Sequence, residues 1–389
     1  MSIKVLSFTT LYPNKKQPRH GIFVEQRLRQ LVQNTNIQLK VVAPIPWFPL
    51  KNKCFGQYSL YADVPKSEQR YNIDVYHPKY LVVPKVGMSV TPLFLALSGV
   101  KKIKQLIKEG FKPDVIDAHY VYPDGVAAAL IGKWLNLPII ITARGSDINV
   151  LPQYTLPRKM ILWATKKAVM NITVSNALKE EMQKLGVPAN KIEVLRNGVD
   201  LETFKILPEL RKAKQTNFKQ LVSVGNLIEL KGHHLVIEAL KNLADIELTI
   251  VGEGPMEGQL KQLAIDCDVE NRVNFVGYKT HQELVKLYNQ ADALILASSR
   301  EGMPNVLLES MACGTPVLAS SVGGAVEVVT SQPAGLLLEE RSVKGLTNGV
   351  TSLFQSMPRL EETRDHAEQF SWERTVKNLN KILMKIKSV

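Results

Sequence analysis

The sequence predicts an α/β protein built from two doubly wound domains. Three observations predict it. Short apolar runs bounded by glycine or proline alternate with helix-period segments, as in a sheet wound with helices on both faces. A charged, proline-containing and aperiodic stretch at 207–219 interrupts that alternation, which restarts at 220. A chain of 389 residues also exceeds what a single hydrophobic core of ordinary size organises. The expected layout is a first domain over 1–206, a linker over 207–219, a second domain over 220–369 and a tail over 370–389.

Composition narrows the class. Hydrophobic content of 45% and charged content of 22% belong to a globular chain. The formal net charge of +13 points to an anionic partner: nucleic acid, an acidic membrane surface or a phosphorylated substrate. No nucleic-acid module is readable, so nucleic acid is not expected. Met1–Phe8 reads as a strand with Lys4 inside it, without the apolar core and cleavage site of a signal peptide. No apolar run approaches the length of a membrane span. Cys54, Cys267 and Cys313 are widely spaced and odd in number, which suits neither a disulfide framework nor a metal site. A reducing cytoplasm is the expected compartment, with association at the inner face of a membrane left open.

In chain order, Ile3–Phe8 reads as a strand and 9–21 as a loop. The helix that follows carries Ile22, Phe23, Leu28 and Leu31 at helical spacing. Gly21 stands at its start, either as a turn glycine or with its N–H close to a phosphate. Leu39–Ala43 is the next strand. Pro46–Phe55 mixes aromatics with lysines, which fits an interfacial anchor on anionic lipid or a loop folded onto its own domain. Over 93–108 the spacing predicts an amphipathic helix with Lys101, Lys104 and Lys108 on one face and Val100, Ile103 and Ile107 on another. Strands follow at 113–119, ending in His119, and at 138–142, leading into Arg144. Further strands are read at 171–175 and from 192.

The second half opens with a strand at 220–225 and a loop holding Asn226 and Lys231. Lys231 lies close to a helix N-terminus, so lysine and helix dipole would act on one phosphate group. A strand at 246–251 leads into a glycine turn at 252–255 that lacks the third glycine of the dinucleotide fingerprint. Asp266 and Asp268 fall at a helix end, away from any strand terminus, and make a poor metal pair. The turn holding Val276 and Tyr278 closes a strand at 272–276. The strand at 292–297 then leads into Glu301, Gly302, Met303, Pro304 and Asn305. Pro304 suits the first turn of a helix, where its missing N–H costs nothing. The loop therefore offers backbone N–H groups and Glu301 at the carboxyl end of a strand, where open α/β sheets bind ligands.

Glu301 and Glu309 invite comparison with glycosidase carboxylates. Eight helical positions separate them by about 12 Å along the axis, whereas a retaining glycosidase holds its pair about 5 Å apart. Recognition of two parts of one ligand suits them better.

With Gly302, Pro304, Asn305, Gly314-Thr-Pro316 and Gly323-Gly324 around these two glutamates, the chain resembles the retaining glycosyltransferases of family 4, which have the GT-B fold. The resemblance spans nearly the whole chain and is densest from 220 to 330. It implies two Rossmann-like domains facing across a cleft that holds the active site, and a tail that crosses back to the first domain. It also implies transfer of a sugar from a nucleoside diphosphate to an acceptor hydroxyl with retention, without a cofactor or metal. Glu301 would orient donor-sugar hydroxyls and Glu309 the ribose. Lys231 and the 302–305 amides would take the diphosphate, with the base near Val276 and Tyr278. His119 belongs to an early family pattern on the acceptor side.

Two positions depart from the family. Arg144 stands where a histidine commonly lies beside the donor sugar, and Asn226 stands where an arginine is usual. The expectation is that Arg144 supplies the charge Asn226 lacks, with Arg300 and Arg196 as rivals. A glycan or lipid-linked acceptor, and an anionic membrane surface, follow from the charge and the tryptophan loop. The alternative from another class is a catalytically silent nucleotide-sugar binder or assembly partner. An epimerase or phosphorylase of the same fold and a two-lobed solute receptor suit the chain less well.

Overall fold

Runs of aliphatic residues buried on both faces form two parallel sheets, each with its own core. The computed structural model describes residues 2–48, 57–82, 87–212 and 218–387. The chain divides into one unit of Met1–Asn197 with Glu373–Val389, and a second of Gly198–Trp372.

The first unit carries β1 (Lys4–Phe8), β2 (Gln38–Val42), β3 (Ile45–Pro46), β4 (Ser67–Arg70), β5 (Ile73–Tyr76), β6 (Lys79–Tyr80), β7 (Val115–His119), β8 (Ile139–Ala143), β9 (Met170–Thr173) and β10 (Ile192–Val194). Eight of these form a sheet in the order β10-β9-β8-β7-β1-β2-β5-β4, and β3 pairs with β6 in a separate ribbon. Every pair in the sheet is parallel except β4 with β5. The chain winds outward from β1 on one side and from β7 on the other, so β1 and β7 flank the switch point where carboxyl ends open a crevice. The core joins Val5, Val41, Val115 and Ile140 to Leu28 and Leu31 of the helix Ile22–Gln33. Val376, Leu379 and Leu383 of the final helix Trp372–Lys387 complete it. Each such aliphatic side chain contributes about 1.5–3 kcal/mol when fully buried.

The second unit carries β11 (Lys219–Val224), β12 (Ile246–Val251), β13 (Val273–Phe275), β14 (Ala293–Leu296), β15 (Val317–Ser320) and β16 (Gly335–Leu338). They lie in the order β13-β12-β11-β14-β15-β16, all parallel. Here the winding reverses between β11 and β14. Leu221, Leu248, Ile250 and Ile295 pack with Val236 and Ile237 of the helix His233–Ala239 beneath that point.

Three stretches add to the sequence reading. The edge strand β4 reads Ser-Glu-Gln-Arg and has no apolar alternation to betray it. The expected linker 207–219 begins with a helix, Pro208–Lys212, within the second unit, and 213–217 lie outside the described residues. Of the aromatic loop, Pro46 is in β3 and Trp47 is 49% exposed, while 49–55 lie outside the described residues.

Candidate functional site

In the second unit the switch point brings together two loops far apart in sequence. Val224 ends β11, and the chain passes through Asn226, which is exposed, to Lys231 in a short 3-10 turn before the helix His233–Ala239. Leu296 ends β14, and the chain passes through Ser299, whose N–H donates to Leu230 O at 2.8 Å, to Glu301. Lys231 Nζ donates to Glu301 Oε1 at 2.6 Å. Their side chains are 21% and 10% exposed, so the pair is largely shielded and still reachable.

Two further strand ends supply the rest of the rim. After β15, Gly323 takes a φ of +50° and packs so tightly that a Cβ would stand 2.0 Å from Glu301 O; only glycine fits there. The neighbouring Gly324 N–H donates to Gly302 O at 3.1 Å. Both contacts fix the 301–303 backbone. The helix Asn305–Ala312 starts one residue later than expected, with Pro304 as its N-cap and no side chain capping it. Met303 and Pro304 are buried, and Asn305 is half-buried. On the other side of β11, Val276 N–H donates to Ile250 O at 3.1 Å and Gly252 N–H to Gly277 O at 2.9 Å. Val276 and Tyr278 therefore stand beside the carboxyl end of β12.

Glu309 lies on the second turn of that helix and is 8% exposed. The Tyr288 hydroxyl donates to its Oε2 at 3.1 Å. Burial pushes its carboxyl up, against the opposing pull of His281 and the Tyr288 hydrogen bond.

In the first unit, Gly21 caps the helix Ile22–Gln33 with a φ of +73°, and a Cβ there would meet Leu11 O at 2.3 Å. Packing against its own chain already requires glycine at this position. His119, the last residue of β7, is fully buried. Arg144 Nη2 lies 2.9 Å from His119 Nδ1, and because a guanidinium only donates, Nδ1 must accept. The proton then sits on Nε2, which is 3.3 Å from Asp117 Oδ2. Burial pushes the His119 imidazole down to about 4 despite Asp117, so the ring is neutral at neutral pH. His119, expected on the acceptor side, here holds Arg144 from beneath and is closed to solvent. Arg144 Nη1 also donates to Asn197 Oδ1 at 3.1 Å. Burial and the nearby Arg27 push the Arg144 guanidinium down to about 9, which still leaves it charged at pH 7.

Comparison with known proteins decides the family. A family model described as glycosyl transferases group 1 matches residues 209–370, and one described as glycosyltransferase family 4 matches 59–203. A putative teichuronic acid biosynthesis glycosyltransferase of Bacillus subtilis is 31% identical over 90% of this chain and 88% of its own. The chain belongs to glycosyltransferase family 4. An amylovoran biosynthesis glycosyltransferase of Erwinia amylovora is 31% identical over 61% of each chain. The structure of Anabaena Alr3699/HepE in complex with UDP superposes with a TM-score of 0.74 at 19% identity, covering 99% of this chain and 100% of that one. The fold is GT-B, as the motifs around Glu301 imply.

Some of the transferase's supporting residues escaped the sequence reading. Asp147 accepts the backbone N–H groups of Val121, Arg144 and Gly145 at 2.8, 3.0 and 2.7 Å and so sets the loop that presents Arg144. Asp117 lies two residues before His119 on the same strand face, a spacing that was the available signal. Burial pushes the Asp117 carboxyl up, but His119 and then Arg27, which is 1% exposed, outweigh it and hold the carboxyl below its usual range. In the second unit, Arg341 Nε donates to Ala297 O at 2.8 Å and steadies the chain entering the Glu301 loop.

Proposed function

We propose that this glycosyltransferase moves a sugar, with retention, from a nucleoside-diphosphate sugar to an acceptor hydroxyl in the synthesis of an envelope or exported polysaccharide. The observation that carries the reading is the Lys231–Glu301 contact at the β11/β14 switch point, which pairs a cation for phosphate with a carboxylate for hydroxyls. The teichuronic acid and amylovoran roles in the relatives' names support the polysaccharide class. UDP in a solved neighbour supports a uridine diphosphate donor.

On this reading the donor diphosphate replaces Glu301 as the partner of Lys231 and lies against the N-terminal end of the helix Asn305–Ala312. Fixed positive charge aimed at a developing diphosphate stabilises departure without reorganisation, so no metal is required. Glu301, released from the lysine, accepts hydrogen bonds from donor-sugar hydroxyls. Glu309 accepts from the ribose, and the Val276–Tyr278 turn borders the base. Arg144 adds charge where Asn226 brings none. Among the described residues no side chain is assigned as a nucleophile, and on this reading the route is front-face displacement, with the departing phosphate taking the acceptor proton. The acceptor is a glycan or a lipid-linked sugar, and the enzyme works in the cytoplasm.

The test is a donor panel. A thermal shift with one nucleoside-diphosphate sugar, followed by transfer of its radiolabel to an acceptor, is expected. Tight donor binding with neither transfer nor hydrolysis for any acceptor class overturns the enzymatic reading in favour of a silent binder.

A further inference from the structure

The helix Gly87–Lys108 in the first unit leaves apolar side chains in water where an ordinary surface helix would not. Its buried side is complete: Leu95, Ala96, Ile103 and Leu106 are fully enclosed. On the opposite side Leu93 is 45% and Leu97 50% exposed. The same face continues through Lys101, Lys104 and Lys108, all exposed. Spacings of three and four keep these five residues on one stripe, about 22 Å long from Leu93 to Lys108. The stripe is thus apolar in its first half and cationic in its second.

A second element extends the apolar half. Ser98 Oγ donates to Lys79 O at 2.9 Å, which seats β6 against the helix. Trp47 N–H donates to Tyr80 O, and Trp47 and Leu81 stand 49% and 50% exposed at the end of that ribbon. Two structural elements therefore expose large apolar side chains, one of them tryptophan, next to a row of lysines. Scattered exposed leucines need no explanation, whereas a patch of this kind marks an interaction surface.

We infer that this face docks onto an anionic lipid bilayer, with Leu93, Leu97, Trp47 and Leu81 inserted at headgroup depth and Lys101, Lys104 and Lys108 on the acidic surface. The charge decides between occupants. A second copy of this chain, at +13 overall, would bring like charge against the lysines, whereas each lysine near an acidic leaflet gains about 1 kcal/mol. Tryptophan and leucine beside lysine also match the interfacial pattern in which the apolar side sinks to the acyl boundary and the ammonium groups stay at the phosphates. The surface belongs to the first unit, whereas Lys231 and Glu301 belong to the second, and it deepens the proposed function only in where the transferase works.

Vesicle flotation of the full chain, without any sugar donor, tests this. Vesicles of phosphatidylcholine containing phosphatidylglycerol are expected to carry the protein, and vesicles of phosphatidylcholine alone are not. Binding should weaken as salt rises and screening shortens. The Lys101→Glu, Lys104→Glu, Lys108→Glu variant is expected to bind at least about tenfold more weakly, and Leu93→Ser with Leu97→Ser should also lose binding. The control reverses Lys377, Lys381 and Lys385 to Glu, an exposed lysine row on the helix Trp372–Lys387, and should retain binding. Equal flotation with neutral vesicles, no flotation, or an equal loss in the control overturns the proposal. So does light scattering that reveals a dimer abolished by the leucine changes while vesicle binding persists. Failure here leaves donor turnover untouched, so the two readings fail separately.

Discussion

Lys231 and Glu301, seventy positions apart in the chain, meet at 2.6 Å where the winding of the second sheet reverses. Each is the other's partner before any donor arrives, so neither acts alone. Lys231→Met should lower kcat/KM by about 10²–10³-fold, the size of effect seen when one donor to a developing anion is lost. Glu301→Gln should cost a comparable factor. The double variant should fall short of the product of the two, because residues in contact couple. Steady-state kinetics with whichever donor the panel selects check this, and a fully multiplicative double variant would show that the two residues act independently.

Gly323 tests whether the Glu301 backbone needs the support described. Gly323→Ala places a Cβ 2.0 Å from Glu301 O at a φ of +50°, so stability should fall by roughly 2 kcal/mol or more. Gly258→Ala is the control: it lies in the helix Glu257–Asp266 with nothing within 4 Å of the added carbon, and should gain about 0.5–1 kcal/mol from helix propensity. Urea denaturation reads both. Unchanged stability and donor KM in Gly323→Ala would mean that the loop relaxes freely and that the close approach is dispensable.

These two cases also mark what the sequence could reveal. Lys231, Glu301 and the glycines around them carry local signals: an apolar strand, then a loop residue at its carboxyl end, then a helix start. Where such a signal is absent, the reading stops. The strand Ser67–Arg70 is polar throughout and owes its conformation to pairing with Ile73–Tyr76. The two-residue strands β3 and β6 are too short for any periodicity. Arg27 looks like an ordinary surface residue of an amphipathic helix, yet it is buried beside an aspartate ninety positions later in the chain. Asp117 and His119 were both visible in one strand, but the fact that they support Arg144 is a tertiary fact about the next strand along.

Arg144 is the member of that buried group to which the proposed function gives a donor role. Its two terminal nitrogens serve His119 and Asn197, a forked geometry that lysine cannot copy. Arg144→Ala should raise donor KM by about tenfold or more, as expected from losing a charge-assisted hydrogen bond, and Arg144→Lys should recover little of it. Asn226→Arg in the Arg144→Ala background should restore part of the affinity. A donor KM left unchanged by Arg144→Ala would remove Arg144 from the donor site and leave it a structural role.

Two buried histidines, His119 and His233, give the protein an acid limit, because burial holds both imidazoles below their ordinary value. His233 Nδ1 lies 3.0 Å from Ser223 Oγ, and burial, then the charge of Lys231, pushes the imidazole from 6.5 down to about 4. A depressed folded-state value means that the unfolded chain binds the proton first. The stabilisation is complete above pH 6.5 and is lost as pH falls toward 4, by up to about 3 kcal/mol. His119 follows the same sign, but in its unit Asp124 is pushed up to about 7 by burial and contributes stability that is lost as pH rises, which blurs the profile. His233→Gln removes the titrating group while keeping a polar side chain for Ser223. Between pH 7 and pH 4.5, wild type should therefore lose more stability to urea than His233→Gln does. Parallel losses would show that His233 does not titrate in that window and that its burial is relieved before the unit unfolds.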